Sequence, residues 1–119
     1  MSQQQQQQIR SVRVTPAMKR AASLALALRR AGFEGGTSTG WKRARQLVHS
    51  KRVDGETVKT MRAWFARHRH TSYPGYKKWV REGRPQTPKS DRAVDRRAYR
   101  GAVAWLLWGG SDAEKQVST

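Results

Sequence analysis

The sequence contains no cysteine, which excludes a disulfide framework and any zinc site built on thiolates. Long apolar runs are also missing. The runs at 21–28 and 102–108 are far shorter than the roughly twenty residues that span a bilayer. Arg29 and Arg30 follow the first run, where a signal peptide would have small residues at its cleavage site. We therefore expect a soluble protein without a membrane span, acting inside the cell or packaged in a particle.

Acidic residues are scarce, at 8 of 119. Asp54, Glu56 and Asp91 stand at predicted helix starts, which leaves too few carboxylates for a two-metal nuclease site. The three histidines have no carboxylate or cysteine at ligand spacing, so we expect no metal and no cofactor. No serine has a recognisable base and orienting acid. The sequence therefore predicts a protein that is not an enzyme.

Positive charge is what the chain has in excess. Its 25 basic residues give a formal net charge of +17, and arginine is the commoner of the two types. Such a charge favours a polyanionic partner, and the planar guanidinium suits phosphate better than the point charge of lysine. Nucleic acid is the commonest partner of this kind, and we expect DNA before RNA. An anionic membrane surface or an acidic protein is the alternative.

The stretch GGTSTGWKRAR at 35–45 has part of the spacing of a nucleotide-binding phosphate loop. Gly35 and Gly40 are correctly separated, but Trp41 stands where that loop needs its lysine, and no hydroxyl residue follows. The segment is better interpreted as a glycine-rich loop followed by a helix over 40–49, with Ser38 or Thr39 as its cap. Free amides and cations at such a helix start favour an anion, such as the phosphate backbone of nucleic acid.

Helical spacing dominates the rest of the chain and predicts a mainly α-helical domain, a small bundle of about four helices. Thr15 and Pro16 start a helix that ends near Ala31, and Asp54 caps another over 55–69. A last helix is expected over 90–108. The predicted organisation is a flexible, glutamine-rich basic arm at 1–14, one helical domain at 15–110 and a flexible tail at 111–119.

The second and third predicted helices form a short hairpin with many basic side chains. We expect these residues, together with two lysines of the segment that follows, to contact phosphate. They are Lys42, Arg43, Arg45, Lys51, Arg52, Lys59, Arg62, Arg69, Lys77 and Lys78. Contacts of this kind position a protein on nucleic acid without reading its sequence.

The segment 70–90 holds three of the four prolines and is expected to be a long basic loop with one helical turn near 74–82. Tyr73, Tyr76 and Trp79 alternate there with cations, an arrangement that suits stacking on the bases of a single strand. The alternative is that these rings cover the small core, and the need of a short chain for aromatic area favours it.

The end of the last predicted helix, AVAWLLW at 102–108, is apolar on every side. A helix end of this kind is buried, either among the other helices or against another protein. Trp105 and Trp108 are its predicted anchors. If either ring is exposed in the folded chain, it becomes a candidate protein interface.

Several blocks of the sequence resemble a small domain found in many proteins of tailed bacteriophages. They are GGT at 35–37 with Gly40, RAR at 43–45 with Leu47, ETV at 56–58, FARH at 65–68 and AWLLWGGSD at 104–112. That domain occurs alone or attached to head-morphogenesis or prohead-protease-like proteins. The resemblance covers less than half of the chain and implies a virion context, not an activity. The chain departs from the pattern at Gln46, where an acidic residue is usual, and in its arginine-rich segment 70–100.

These observations predict a phage-encoded protein that binds the DNA backbone without strong sequence specificity, in the virion or at the nucleoid in the host cytoplasm. The alternative is a virion structural protein, such as a minor head, cement or inner-capsid component. That protein would dock on a capsid partner through its tryptophan-rich last helix. A third interpretation, a module that inhibits or redirects a host enzyme, has no residue-level support.

Overall fold

Thr15 and Pro16 begin the first helix, α1 (Pro16–Arg30), in the computed structural model, which describes residues 9–118. The Thr15 hydroxyl accepts a hydrogen bond from the amide of Met18 at 3.2 Å, and proline at the first helical position needs no amide partner. The start predicted from the sequence is therefore confirmed. The helix buries Met18, Ala22, Ala25 and Leu28.

Six more helical segments follow, so the predicted fold class, mainly α-helical, is confirmed. They are α2 (Ser38–His49), α3 (Gly55–His68), α4 (Ser72–Arg81), the single turn α5 (Ala93–Arg96), α6 (Arg100–Leu107) and α7 (Gly110–Ser118). Asp54 caps α3 as predicted and accepts from the amide of Thr57 at 2.8 Å. Helix α2 starts two residues before the predicted position, because Thr37 is its cap instead of Ser38 or Thr39.

Residues 9–14 are not the flexible arm that the sequence predicts. Val12–Arg13 (β1) pair antiparallel with Arg52–Val53 (β2), and Val12 lies opposite Val53. Val14 is buried, and its amide donates to the carbonyl of Lys51 at 2.8 Å. The alternation of valine with arginine gives this segment one apolar face, and that face covers the domain. The glutamine tract of the predicted arm, residues 1–8, lies outside the described residues.

The predicted flexible tail is wrong for residues 111–118, which belong to α7. Ala113 and Val117 are buried, and the indole N–H of Trp105 donates to the Ser111 hydroxyl at 3.1 Å. Helix α7 packs against α1 and α3 and contacts β1. Its start lies directly after Gly109, whose φ of 99° suits glycine and lets the chain turn back onto the core.

The segment predicted as a long loop contains the ten-residue helix α4, which packs against α6. The two helices approach closely where Gly75 meets Gly101, because a Cβ atom built on Gly75 would lie only 2.9 Å from the Gly101 Cα. The predicted helix over 90–108 is also interrupted. It begins as the single turn α5 and restarts as α6 after a turn at 97–99.

Helix α6 lies at the centre of the core and contacts α1, α2, α4 and α7. Trp105 has no exposed surface, and its ring centroid lies 5.0 Å from those of Phe65 and Tyr73. Trp108 is 4 % exposed. Both tryptophans therefore belong to the core of the chain, and the predicted protein interface at these two rings is wrong. In the part of the chain that the structure covers, no helix is long and apolar enough to cross a bilayer.

Candidate nucleic-acid interface

The loop at 31–37, between α1 and α2, is held against the end of α5. The Glu34 amide donates to the Arg96 carbonyl at 2.8 Å. The Glu34 carboxylate accepts from Arg96 Nε at 2.8 Å and from Arg97 Nε at 3.1 Å. These bonds hold the pKa of Glu34 below its ordinary value. Gly36 has a φ of 75°, and a Cβ atom there would clash with the Leu107 side chain, so this position requires glycine.

A shallow groove of about 300 Å³, here called the outer groove, opens at the N-terminus of α2. It is lined by Arg29, Gly36, Thr37, Ser38, Trp41, Lys42 and Arg45. The Arg29 guanidinium lies 4.4 Å from the centroid of the Trp41 ring. Lys42 and Arg45 are exposed, and within residues 9–118 neither side chain has a hydrogen-bond or ion-pair partner. Two of the predicted phosphate contacts thus lie together beside the free amides of α2.

A larger groove of about 990 Å³, here called the inner groove, shares Gly36 and Thr37 with the outer groove. The 31–37 loop, α3, α6 and the start of α4 form its walls. Its charged lining consists of three arginines and one glutamate. Its complete polar and aromatic lining is Glu34, Arg67, Arg97, Arg100, Thr37, Thr39, Thr60, Thr71, Ser72, His68, Trp64 and Trp108.

The arginines of the inner groove are not among the residues predicted from the sequence. Arg67 and Arg100 are exposed, and their side chains have no hydrogen-bond or ion-pair partner in the described part of the chain. The sequence contains a pattern that indicates one wall of the inner groove, since Thr60, Trp64, Arg67 and Thr71 recur at the spacing of one helical face. Only the tertiary structure, in which Trp64 and Phe65 of α3 contact Trp105 of α6, places Arg100 at the same groove.

A column of stacked planar groups runs from the inner groove into the core. The His68 ring stacks on Trp64 with a centroid distance of 4.6 Å, and Trp64 stacks on Trp108 at 5.0 Å. The Arg43 guanidinium ends the column, 5.4 Å from the Trp108 centroid. Arg43 also donates to the Gln46 side chain, and its Nε is buried without a partner within residues 9–118. Burial lowers the pKa of Arg43 from its ordinary value.

Arg43 packs differently from its sequence neighbours Lys42 and Arg45. Arg43 was predicted to contact phosphate, but the structure places its side chain half-buried against Trp108, and it does not line either groove. The helical period explains this difference, because Lys42 and Arg45 face solvent while Arg43 is turned toward α6.

Other predicted phosphate contacts are dispersed over the surface. Three arginines make internal bonds: Arg52 with the hydroxyl and carbonyl of Ser11, Arg62 with the carbonyl of Val117, and Arg69 with the carboxylate of Glu114. The Arg69 ion pair, at 2.5 Å, raises the pKa of Arg69. Lys51 and Lys59 are exposed but line neither groove.

The aromatic residues of α4 do not form the predicted row of free rings. Trp79 is 1 % exposed and donates its indole N–H to the Pro85 carbonyl at 2.9 Å, so the base-stacking prediction is wrong there. Tyr73 is half-buried against Trp105. Tyr76 is also half-buried and lies between Tyr73 and Trp79. The alternative prediction, that these rings cover the core, is therefore confirmed for Trp79.

Lys77 and Lys78, also predicted to contact phosphate, lie over tyrosine rings. The Lys77 ammonium is 5.1 Å from the centroid of Tyr73, and the Lys78 ammonium is 5.6 Å from that of Tyr99. The Tyr99 hydroxyl donates to Glu82 at 2.6 Å, and this bond raises the pKa of Tyr99. These cations therefore interact with the protein itself.

Among residues 9–118, no group of three histidine, aspartate or glutamate side chains lies close enough to hold a metal ion. Comparisons of the chain with protein-family models, curated proteins and solved structures found no match. The resemblance to the tailed-phage domain therefore stays a prediction.

Proposed function

We propose that the protein binds nucleic acid through the phosphate backbone, without strong sequence specificity and without catalysis. The observation that carries this proposal is the set of cations around Gly36 and Thr37 that have no hydrogen-bond or ion-pair partner among residues 9–118. Lys42 and Arg45 line the outer groove, and Arg67 and Arg100 line the inner groove. The amide end of α2 adds its partial positive charge between them.

An anionic partner explains why these four cations have no counter-charge in the described part of the chain. Like charges that gather on one surface repel one another and oppose folding. In the described part of the chain, three carboxylates, those of Glu34, Asp95 and Glu114, form ion pairs, and none of these pairs involves the four groove cations. A phosphate backbone would neutralise the cations and release counterions, which drives binding at low salt.

The alternative function is virion docking through the apolar helix end at 102–108. The structure does not support it, because Trp105 and Trp108 are buried. Within residues 9–118, Val94 is the only large apolar side chain that is strongly exposed. The resemblance to the phage domain supports a role beside packaged phage DNA. We therefore propose a protein that coats or condenses DNA or is packaged beside it, in the virion or at the host nucleoid.

A salt series tests this proposal. Fluorescence anisotropy with DNA of unrelated sequences should show log affinity falling linearly with log salt for the wild-type protein. The Lys42→Ala/Arg45→Ala variant should weaken binding equally for all sequences. It should also reduce the slope by up to about 0.9 for each phosphate that the variant no longer neutralises.

A matched control variant removes one arginine and one lysine outside the two grooves. Arg81→Ala/Lys115→Ala takes away one arginine and one lysine that are exposed and line neither groove. This control should change the salt slope much less than the groove variant. If the wild-type protein binds no DNA even at low salt, or if both variants reduce the affinity equally, the proposed interface is wrong.

A further inference from the structure

The inner groove differs from the rest of the basic surface in its shape. Its volume of about 990 Å³ lies near the upper end of the range of small-ligand sites, ~300–1,000 Å³. A duplex presents its phosphates on a convex surface and keeps its bases stacked inside. A concave groove of this size has room for unpaired nucleotides but not for a double helix.

The groove also offers three kinds of contact that an unpaired nucleotide uses. Arg67 and Arg100 have guanidinium groups that no other side chain or carbonyl of residues 9–118 binds, so they can contact phosphate oxygens. The hydroxyls of Thr37, Thr39, Thr60 and Thr71 can bond to sugar and phosphate oxygens or to base edges.

The third contact is the ring of His68. It is partly exposed, lines the groove and is backed by Trp64 at 4.6 Å. Trp64 and Trp108, which continue the column, are 8 % and 4 % exposed, so His68 is the accessible end of the stack. A planar ring held in this way is a suitable platform for a base.

We infer that the inner groove binds a short unpaired segment of nucleic acid, with phosphates on Arg67 and Arg100 and a base stacked on His68. This inference rests on the proposed function and adds the strand form that the protein recognises. An acidic peptide would satisfy the arginines but would make no use of the ring.

The first test compares a single strand with a blunt duplex of equal length. The wild-type protein should bind the single strand more tightly at equal salt. Arg67→Ala/Arg100→Ala should weaken single-strand binding by about tenfold or more while duplex binding falls much less. The matched variant Lys42→Ala/Arg45→Ala should weaken both forms by similar factors. Thermal melting should show that all variants remain folded, because the four side chains are exposed.

A second experiment measures how much the stacked base contributes to the affinity. An abasic strand carries the same phosphates as the normal strand, so it should bind the wild-type protein about tenfold more weakly if a base stacks on His68. His68→Ala should reduce this difference between the two strands. Equal binding of the abasic and normal strands by the wild-type protein would overturn the inference.

The outcomes separate the two proposals. If the wild-type protein binds no DNA, the proposed function and this inference both fail. If it binds single strand and duplex equally, and Arg67→Ala/Arg100→Ala weakens both alike, the proposed function stands and the inference is wrong. Displacement of the single strand by polyglutamate as readily as by unlabelled DNA would also overturn the inference, in favour of an acidic protein partner.

Discussion

The cations around the two grooves and the cations around α4 carry the same charge in different surroundings. Four of the six cations that line the grooves, Lys42, Arg45, Arg67 and Arg100, are exposed and have no hydrogen-bond or ion-pair partner within residues 9–118. Near α4, two lysines of the helix lie over tyrosine rings, Lys77 over Tyr73 and Lys78 over Tyr99. Arg69, which lies just before the helix, pairs with Glu114. The first set is available to a ligand, whereas the second already interacts with the protein.

This comparison shows that the density of positive charge along the sequence is a poor guide to a binding surface. The string YKKW at 76–79 has the alternation of rings and cations that is typical of single-strand binding. In the folded chain, its tryptophan is buried and its lysines face tyrosines. By contrast, four cations from three separate parts of the sequence line the two grooves beside one loop.

The largest expected effect is a loss of stability when Trp79 of α4 is replaced. It tests whether the rings of α4 serve the core and not DNA binding. Because its ring is 1 % exposed and its indole N–H is bonded to Pro85, Trp79→Ala should lower the free energy of unfolding by about 3–5 kcal/mol. Chemical denaturation measures this decrease. At temperatures where the variant is folded, its affinity for single-stranded DNA should equal that of the wild type. A specific decrease in DNA affinity at unchanged stability would show that Trp79 stacks on bases after all.

A smaller effect is expected for the α4 lysines. Lys77→Ala/Lys78→Ala removes two cation–π contacts of exposed side chains, each contributing about 0.5–1 kcal/mol to the free energy of unfolding. Because both ammonium groups lie over rings, the variant should reduce the salt slope of DNA binding less than Lys42→Ala/Arg45→Ala does. Denaturation and anisotropy on the same preparations check both statements. An equal reduction of the slope would remove the distinction between the two regions.

The smallest effect concerns pH and the ion pairs that hold the 31–37 loop. Bonds to Arg96 and Arg97 lower the pKa of Glu34 from its ordinary value of 4.5. A carboxyl whose pKa is lowered by folding stabilises the folded state at pH values above its ordinary pKa. This contribution disappears as the pH falls through the folded-state pKa. Glu34→Gln should therefore lower the melting temperature slightly at neutral pH and match the wild type in strong acid.

The control for this pH experiment is Asp91→Asn, since the Asp91 carboxylate forms no ion pair in the described residues. Its melting temperature should follow that of the wild type across the whole pH range. A difference between Glu34→Gln and the wild type that persists unchanged in acid would show that the ion pairs do not stabilise the loop.

Local signals in the sequence were sufficient for some of the fold. The caps Thr15 and Asp54 act on amides three residues away, so the starts of α1 and α3 follow from neighbouring residues alone. The β1 strand and α7 could not be predicted in this way. Val14 and Val117 are buried by segments far away in the chain, and short apolar patterns without those partners are typical of flexible ends as well.

Some residues of the candidate interface could likewise be predicted from the sequence, and others could not. The anion-attracting start of α2 was predicted, because the glycine-rich loop, the helix start and the cations Lys42 and Arg45 are all neighbours in sequence. Arg43 lies at neither groove, and only its packing on Trp108 reveals this position. Arg67 and Arg100 were not predicted, because they belong to different helices.

Composition and local spacing by themselves determined that this chain is helical, strongly basic and equipped with an anion-attracting helix start. Those properties depend on residue types and on neighbours within one or two turns. The tertiary structure alone decided which cations stay free, which rings are buried and where a concave groove opens. These properties depend on long-range contacts such as the close approach of Gly75 to Gly101 and the packing of the 31–37 loop on α6, which no local pattern contains.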